Sequence, residues 1–582
     1  MVLAPTTAAA DWVSWCRRQL NALAPSALAL ALGSTALLLG WAGVDQAAQT
    51  YRTLQFQLHG LMLWDSGWYA GNFPLGYSVL FPAVAGTFGI KVVAVASAVI
   101  ATWSFDRFVR TYLGSRPLGT WYFAVSTLLP VTIGQWPFLA GEAAGLLALA
   151  SLQRGRRVFA LVLGIVAALF SPLAAAFLAL GCLAWAAYSS RRRWLIATAA
   201  AALVVVVGIG FLFPGTGPFP FPWTGLVPTE LLCLCCLTPL VQTTPAVRFG
   251  ALLYAASSLF SFLVPNPLGG NAPRLAASIG VPLLACFLTV PGPALAQLSH
   301  SRVVRRAAVR WHRPVALPGR WRYVAILLVV PFAVWQWAPW AGVVTSAAAS
   351  PYTQSSFYKP LISELAVVAP LPVRVEIPPT AEHWESAFVA PHVSLARGWE
   401  RQLDIADNPL FYNTGALTPA TYSSWLDAEG VSYVALPAAP LDYAAKAEGT
   451  LLGSGTVPGL SLIWSSPTWK LWRVNTSPGL VTGPATLLAV EPDHLVLQAM
   501  SAGSITVRVR YTGFWTVTQG AACVGSAAAA LAAAGRGTGA TQANGTSAAP
   551  YEWTAVTALG PGIIELSASV LHPAPAAACP KS

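Results

Sequence analysis

The chain reads as a polytopic α-helical membrane protein with a C-terminal extracytoplasmic α/β domain followed by a β-sandwich. Three observations predict this. Of 582 residues, 55% are hydrophobic and 9% charged, with a mean hydropathy of +0.60, the composition of a chain that spends much of its length in lipid. Charge divides unevenly: residues 1–345 carry 22 Lys and Arg against 6 Asp and Glu, and residues 346–582 carry 11 against 15. Beyond residue 345 the long apolar runs stop and short alternating segments replace them.

Taken in order, Arg17 and Arg18 precede a first span at 24–44. They form a cytoplasmic leader to a retained helix, because no small-residue cleavage site follows the apolar run. Residues 74–89 are short for a crossing, which takes about 20 residues. Arg107, Arg110 and Arg116 then follow residues 91–103. Basic loops stay inside, so 74–106 makes one net crossing with an interfacial or broken helix. Further spans fall at 118–133, 136–153, 158–171, 172–189, 194–213, 225–243, 249–264, 274–292 and 323–343. The total is about eleven crossings, N-terminus inside and C-terminal part outside the cytoplasmic (inner) membrane. The basic clusters at 154–157, 191–193 and 302–322 land inside, and the Pro/Gly-rich loops at 214–223 and 265–271 land outside with the loop 45–74. The positive charge is thereby explained by cytoplasmic loops, and no basic-aromatic module for nucleic acid appears.

Residues 346–478 mix strands (373–378, 431–437, 469–474) with helices (418–430, capped by Thr418 and stopped at Gly430, and 442–453), an α/β pattern. Residues 479–582 alternate in short strands around an Ala/Gly/Ser insert at 524–549, as a β-sandwich with a flexible loop does. Cys182, Cys233, Cys235, Cys236 and Cys286 sit in apolar runs, where free cysteine is a small hydrophobe. Cys523 and Cys579 are the two beyond residue 345 and pair naturally in an oxidising compartment.

The chemistry concentrates in the loop 45–74. Residues 1–345 hold only Asp11, Asp45, Asp65, Asp106, Glu142 and Glu230 as acids, and two of these six lie in this loop beside His59, Trp64, Trp68 and Tyr69. A membrane protein that places scarce carboxylates among aromatics on one face marks a candidate site; the competing reading is a solvated loop with an aromatic belt. Sugar transfer at an outer membrane face needs a carboxylate for the acceptor hydroxyl and positive charge or a metal for a leaving phosphate. Asp45 is the first candidate for the base and Asp65 the second carboxylate, as base partner or metal ligand. Arg52, His59 and Arg274 are candidates for phosphate, and Asn271 for a polar contact. Glu142 lies in an apolar run near the outer face, where a carboxylate usually has a purpose. Arg274 as a helix anchor, His59 as a surface residue and Glu142 as a packing residue remain the alternatives.

The order Gly43, Asp45, His59, Trp64-Asp65, Trp68-Tyr69, Gly71 and Pro74-Leu75 resembles the GT-C superfamily of polytopic glycosyltransferases, especially its large actinobacterial and archaeal members with an extracytoplasmic C-terminal domain. The resemblance implies a polyprenyl-phosphate sugar donor, and an envelope glycan, lipid or protein as acceptor. It also implies an acidic base or metal ligand at Asp45, with a less regular second acid at Asp65. Arg374-Val-Glu376, His383-Trp384-Glu385 and Arg397-Gly-Trp399-Glu400-Arg401 resemble the appended domains of such proteins, with His383 and Trp399 lining either an acceptor site or a polar domain interface. The acidic motif is unpaired, Gln46 following Asp45 and Ser66 following Asp65, so a divalent metal stays an open question. Two other readings compete with the inverting transferase: a lipid-linked glycan transporter, and a non-catalytic envelope scaffold that binds glycans.

Overall fold

The computed structural model describes residues 7–113, 118–214, 217–238, 241, 243–289, 327–347, 350–370, 372–528 and 553–568. The chain forms two compact units. One comprises residues 1–43, 78–211 and 219–348; the other comprises residues 44–77, 212–218 and 349–582.

The first unit is helical. Among the described residues, four helical runs are long and apolar enough to cross a membrane: Ile90–Leu113, Arg192–Leu212, Pro245–Leu263 and Gly269–Leu288. The expected crossings at 118–133, 158–171, 172–189 and 225–243 are helical but shorter than a full crossing. Local chemistry sets these breaks. Ser171 ends Arg157–Phe170 and caps Pro172–Ala186, its hydroxyl accepting from the Ala174 N–H with Pro172 at the first helical position, where a missing N–H costs nothing. Gly89, at φ +90°, divides Phe81–Phe88 from Ile90–Leu113, so 74–106 holds a broken helix. The first helix, Thr7–Leu38, takes in the basic leader and ends short of residue 44. Trp136–Gln153 is buried along most of its length. Small residues let neighbours approach it closely: a Cβ on Gly141 would stand 2.8 Å from that of Ala174. The basic stretch 302–322 lies outside the described residues.

The second unit is built on sheets. Strands β1 (Arg374–Glu376), β2 (Ser394–Leu395), β3 (Val431–Pro437), β4 (Leu460–Ser465) and β5 (Trp469–Val474) form one sheet in the order β2-β1-β3-β5-β4. β1 runs parallel to both neighbours and is wholly buried, as a parallel strand covered on both faces must be. Helix Pro419–Ala428 starts at a capping box between Thr418 and Thr421, and the chain turns into β3 through Gly430 at φ +64°.

Eight further strands follow: β6 (Val481–Thr482), β7 (Ala485–Glu491), β8 (His494–Ala499), β9 (Gly503–Arg510), β10 (Trp515–Gln519), β11 (Ala522–Ser526), β12 (Trp553–Ala558) and β13 (Gly562–Ala568). They make two antiparallel four-stranded sheets, β10-β13-β8-β7 and β11-β12-β9-β6. Every second residue turns inward, so Leu495, Leu497, Ile505, Val507, Ile564 and Leu566 share one core, the period-two arrangement of a sandwich. The insert begins within β11, and residues 529–552 lie outside the described residues. Cys523 is disulfide-bonded; Cys579 lies outside the described residues.

One stretch departs from its sequence reading. Residues 45–59, read as part of a polar loop, form the helix Asp45–His59. The segment has no Gly or Pro to break it. Its polar composition hid a helix whose buried face is itself polar.

Candidate functional site

Helix Asp45–His59 buries Asp45, Gln46, Gln49, Arg52, Thr53 and Gln55. Buried polar groups need partners, and the α/β part of the same unit supplies several. Trp399 Nε1 donates to the carbonyl of Val44, the residue before Asp45, at 2.8 Å. Arg52 Nη2 meets Glu400 Oε2 at 2.7 Å, both side chains buried. The Arg52 guanidinium lies 4.1 Å from the Tyr77 ring centre and 5.7 Å from that of Trp68, and its Nη1 has no hydrogen-bond partner. The Tyr69 hydroxyl donates to the Glu400 carbonyl at 3.0 Å, and Trp68 Nε1 to the Ser386 carbonyl at 3.1 Å. Asp45 is 6% exposed and opens the helix, where the dipole favours a carboxylate.

Residues 382–386 carry a second group of buried polar atoms. Glu382 Oε2, His383 Nδ1, Trp384 Nε1, Glu385 Oε1 and Ser386 Oγ are all buried without a hydrogen-bond partner, an unusual run given how rarely folded proteins leave such atoms unmatched. His383 Nδ1 stands 3.7 Å from Glu385 Oε1, and its Nε2 3.6 Å from Asp442 Oδ2, beyond ordinary hydrogen-bond length. Arg401 grips Asp442 with two bonds of 2.9 Å. Burial pushes the Asp442 carboxyl up, but His383 and Arg401 outweigh it and hold the group below the usual carboxylate range. The Trp399 ring meets His383 edge-on at 6.5 Å. His383 and Tyr69 are both left-handed, at φ +57° and +55°, backbone strain of about 1–3 kcal/mol each that tends to collect at functional sites.

A buried ion network fixes the segment that carries Trp399. Arg397 binds Asp404 through Nε at 3.0 Å and Nη2 at 2.6 Å, and Glu448 through Nη1 at 3.0 Å. Its guanidinium lies 3.9 Å from the Phe411 ring centre, and Glu376 stands 3.8 Å away. The Tyr422 hydroxyl donates to Glu448 at 2.7 Å. Burial, with Glu448 beside it, pushes the Glu376 carboxyl well up.

Asp65 plays a different part. It is 1% exposed, and its Oδ1 accepts from the Tyr51 hydroxyl at 3.0 Å and the Gly67 N–H at 2.9 Å. Its backbone pairs with Asn72. Burial lifts the carboxyl to about 6, against the pull of those two hydrogen bonds. Asp65 therefore ties down the turn 65–72. A divalent cation does not fit at such an enclosed, already bonded oxygen, and among the described residues no group of three or more His, Cys, Asp or Glu is arranged to hold a metal. His59 is exposed, and Trp64 packs into the sandwich core, edge-on to Phe73 at 4.7 Å.

The remaining sequence candidates belong to the helical unit. Glu142, on Trp136–Gln153, has Ser278 as a polar neighbour. Ser278 lies in a π-helical turn, Ala276–Gly280, a distortion frequent at functional sites. Arg274, one turn earlier, holds its guanidinium 5.8 Å from the Phe138 ring centre, one turn before Glu142. Asn271 closes the preceding turn, Gly269–Asn271.

Within the second unit, then, Asp45, Arg52, Trp68, Tyr69, His383 and Trp399 lie in one linked cluster, which Asp65 joins through Tyr51, stacked on Trp68 at 4.3 Å; His59 and Trp64 stand apart from it. Asp442, Asp404 and Glu448 were missed by sequence reasoning. Asp442 and Glu448 are 41 and 51 residues from the arginines they bind, too far for any local spacing to announce them. Asp404 was legible in principle, seven residues after Arg397.

No protein-family model matches the chain, and no curated protein matches it. Among solved structures, two cryo-EM structures of the arabinofuranosyltransferase AftD from Mycobacteria, two classes of one mutant, are similar to it. The first has a TM-score of 0.42 at 14% identity, over 77% of this chain and 42% of that one. The second has 0.38 at 15%, over 81% and 43%. The chain spans less than half the length of either, and so distant a likeness assigns no residue a role.

Proposed function

We propose that the chain is a membrane glycosyltransferase of the GT-C type. It moves a sugar from a polyprenyl-phosphate donor to an envelope acceptor at the extracytoplasmic face, with inversion. The observation that carries this reading is the run of buried, unmatched polar atoms at 382–386, with the Trp399 ring beside His383 and hydrogen-bonded to the Val44 carbonyl next to Asp45. In this reading Asp45 takes the proton of an acceptor hydroxyl. The oxygen attacks the anomeric carbon, and the carbon–oxygen bond to the phosphate breaks with its electron pair leaving on the phosphate. One carboxylate suffices for inversion by direct displacement, which accords with Asp65 serving the fold. Arg52, whose Nη1 has no hydrogen-bond partner, is the donor for the leaving phosphate. Glu382, His383 and Glu385 supply the mixed donors and acceptors that a sugar's hydroxyls match, with the Trp399 ring beside them.

The test replaces Asp45 with Asn and follows transfer from a labelled polyprenyl-phosphate sugar in membranes. Loss of a positioned base costs about 10²- to 10⁴-fold, with protein level and melting temperature retained. Wild-type transfer by Asp45→Asn removes Asp45 from the chemistry. The commitment of Asp65 to Tyr51 and Gly67 also favours a second reading, a GT-C-like scaffold that binds glycans without transferring them. Glycan binding by wild type, with no transfer from any polyprenyl-phosphate sugar, would establish it.

A further inference from the structure

A cavity of about 220 Å³ lies inside the helical unit, larger than the roughly 150 Å³ apolar cavity that admits benzene. No Asp, Glu, Lys, Arg or His lines it. Its wall is built of side chains such as Phe105, Val109, Phe177, Leu180, Leu232 and Leu283. The two hydroxyls on it are engaged inside the protein: Tyr112 donates to Thr244 Oγ1 at 2.6 Å, and Tyr254 to the Ala272 carbonyl at 2.6 Å. The cavity therefore offers a ligand almost nothing but apolar contact, which selects hydrocarbon over a sugar or a phosphate.

Its place in the unit adds charge. The wall takes in the last turns of Ile90–Leu113, Pro172–Ala186 and Trp223–Leu237 and the first turns of Pro245–Leu263. Side-chain bonds tie such helix ends together: Tyr112 to Thr244, Gln153 Nε2 to the Phe108 carbonyl at 3.2 Å, and Arg191 Nη1 to the Leu152 carbonyl at 2.6 Å. Residues 107–113, 150–157, 186–193 and 244–250, which these bonds gather at one end, hold nine arginines and no Asp or Glu. Arg154, Arg156, Arg157, Arg192 and Arg193 are exposed, and Arg248 directly follows Ala246 and Val247 of the wall. Guanidinium groups bind phosphate well, and basic pockets between membrane helices hold anionic headgroups.

We infer that this cavity holds an acyl chain of an anionic phospholipid, with the lipid's phosphate among the arginines at the same end. Hydrocarbon and anion are then each met by the part of the protein that complements them. The site uses no residue of the Asp45 cluster and does not rest on the chain being a transferase.

Retention is measured by native mass spectrometry on the full-length protein, released from detergent micelles that hold dioleoyl phosphatidylglycerol, dioleoyl phosphatidylcholine and decaprenyl phosphate at equal concentration. Gly181 lines the cavity, and a Cβ there would meet no atom within 4 Å, so Gly181→Leu fills the space without a clash. Its side chain displaces about two methylenes of the lipid, which weakens binding about tenfold. The expected result is phosphatidylglycerol retained in preference to both other lipids. Its retention falls about tenfold in Gly181→Leu, and its preference over phosphatidylcholine is lost when Arg192→Gln, Arg193→Gln and Arg248→Gln are combined. Should Gly181→Leu fail to fold, the arginine variant decides alone. Four results overturn the inference: no phosphatidylglycerol is retained, Gly181→Leu folds and retains it as wild type does, the arginine variant keeps the preference, or phosphatidylcholine or decaprenyl phosphate is held as well as phosphatidylglycerol.

Discussion

Replacing Asp65 with Asn should change how the protein's stability depends on pH. Burial raises this carboxyl from 3.8 to about 6, so the folded state prefers the neutral form. A group raised in this way contributes its stability below pH 3.8 and loses it as pH climbs through 6. The difference of about 2 pH units, at about 1.4 kcal/mol each, amounts to roughly 3 kcal/mol between pH 4 and pH 7. Asn keeps an oxygen for the Tyr51 hydroxyl and the Gly67 N–H but cannot ionise. For a unit of this size, about 3 kcal/mol corresponds to roughly 6 to 12 °C in melting temperature. Melting is followed by tryptophan fluorescence at half-unit pH steps, wild type against Asp65→Asn. The wild type should lose those degrees relative to the variant as pH rises from 4 to 7. Parallel pH profiles would refute the assignment of a buried, proton-holding Asp65.

Two further substitutions test what positions the cluster. Arg397→Met removes the cation shared by Asp404 and Glu448, leaving buried carboxylates unpaired at a cost of about 3–5 kcal/mol; thermolysin cleavage and melting should both register it, and an unchanged melting temperature would mean the carboxylates find other partners. Gly398→Ala sets a Cβ 2.6 Å from the Trp68 ring, an overpacking of about 1–3 kcal/mol that should also weaken sugar transfer by shifting Trp399; an equally stable, equally active variant would show that Trp68 can yield.

Some of the molecule was written in local pattern. Thr418 as a cap, Gly430 as a stop, and the strands at 431–437 and 469–474 all appear where the spacing puts them. They depend on contacts a few residues apart, which a reader of the sequence can see. The helix at 45–59 was hidden because apolar periodicity is the usual signal of a buried helix face, and this helix buries glutamines, an aspartate and an arginine instead. Asp45 and Asp65 look alike in sequence, one acid each beside aromatics. Only the fold separates them, because the Tyr51 hydroxyl and the Gly67 N–H close on Asp65 while Asp45 opens a helix beside Trp399.

By itself the sequence determined the apolar helical runs and the short strands beyond residue 345. These follow from composition and from periods of two or 3.6 residues, which act over short stretches. Tertiary structure set Asp65 against the Tyr51 hydroxyl and the Gly67 N–H, and Asp45 at the start of a helix. It also paired Arg52 with Glu400, 348 residues away, and Arg397 with Glu448. Such pairings are set by burial: a charge removed from water must find its partner wherever the folded chain brings one, and sequence distance has no bearing on that.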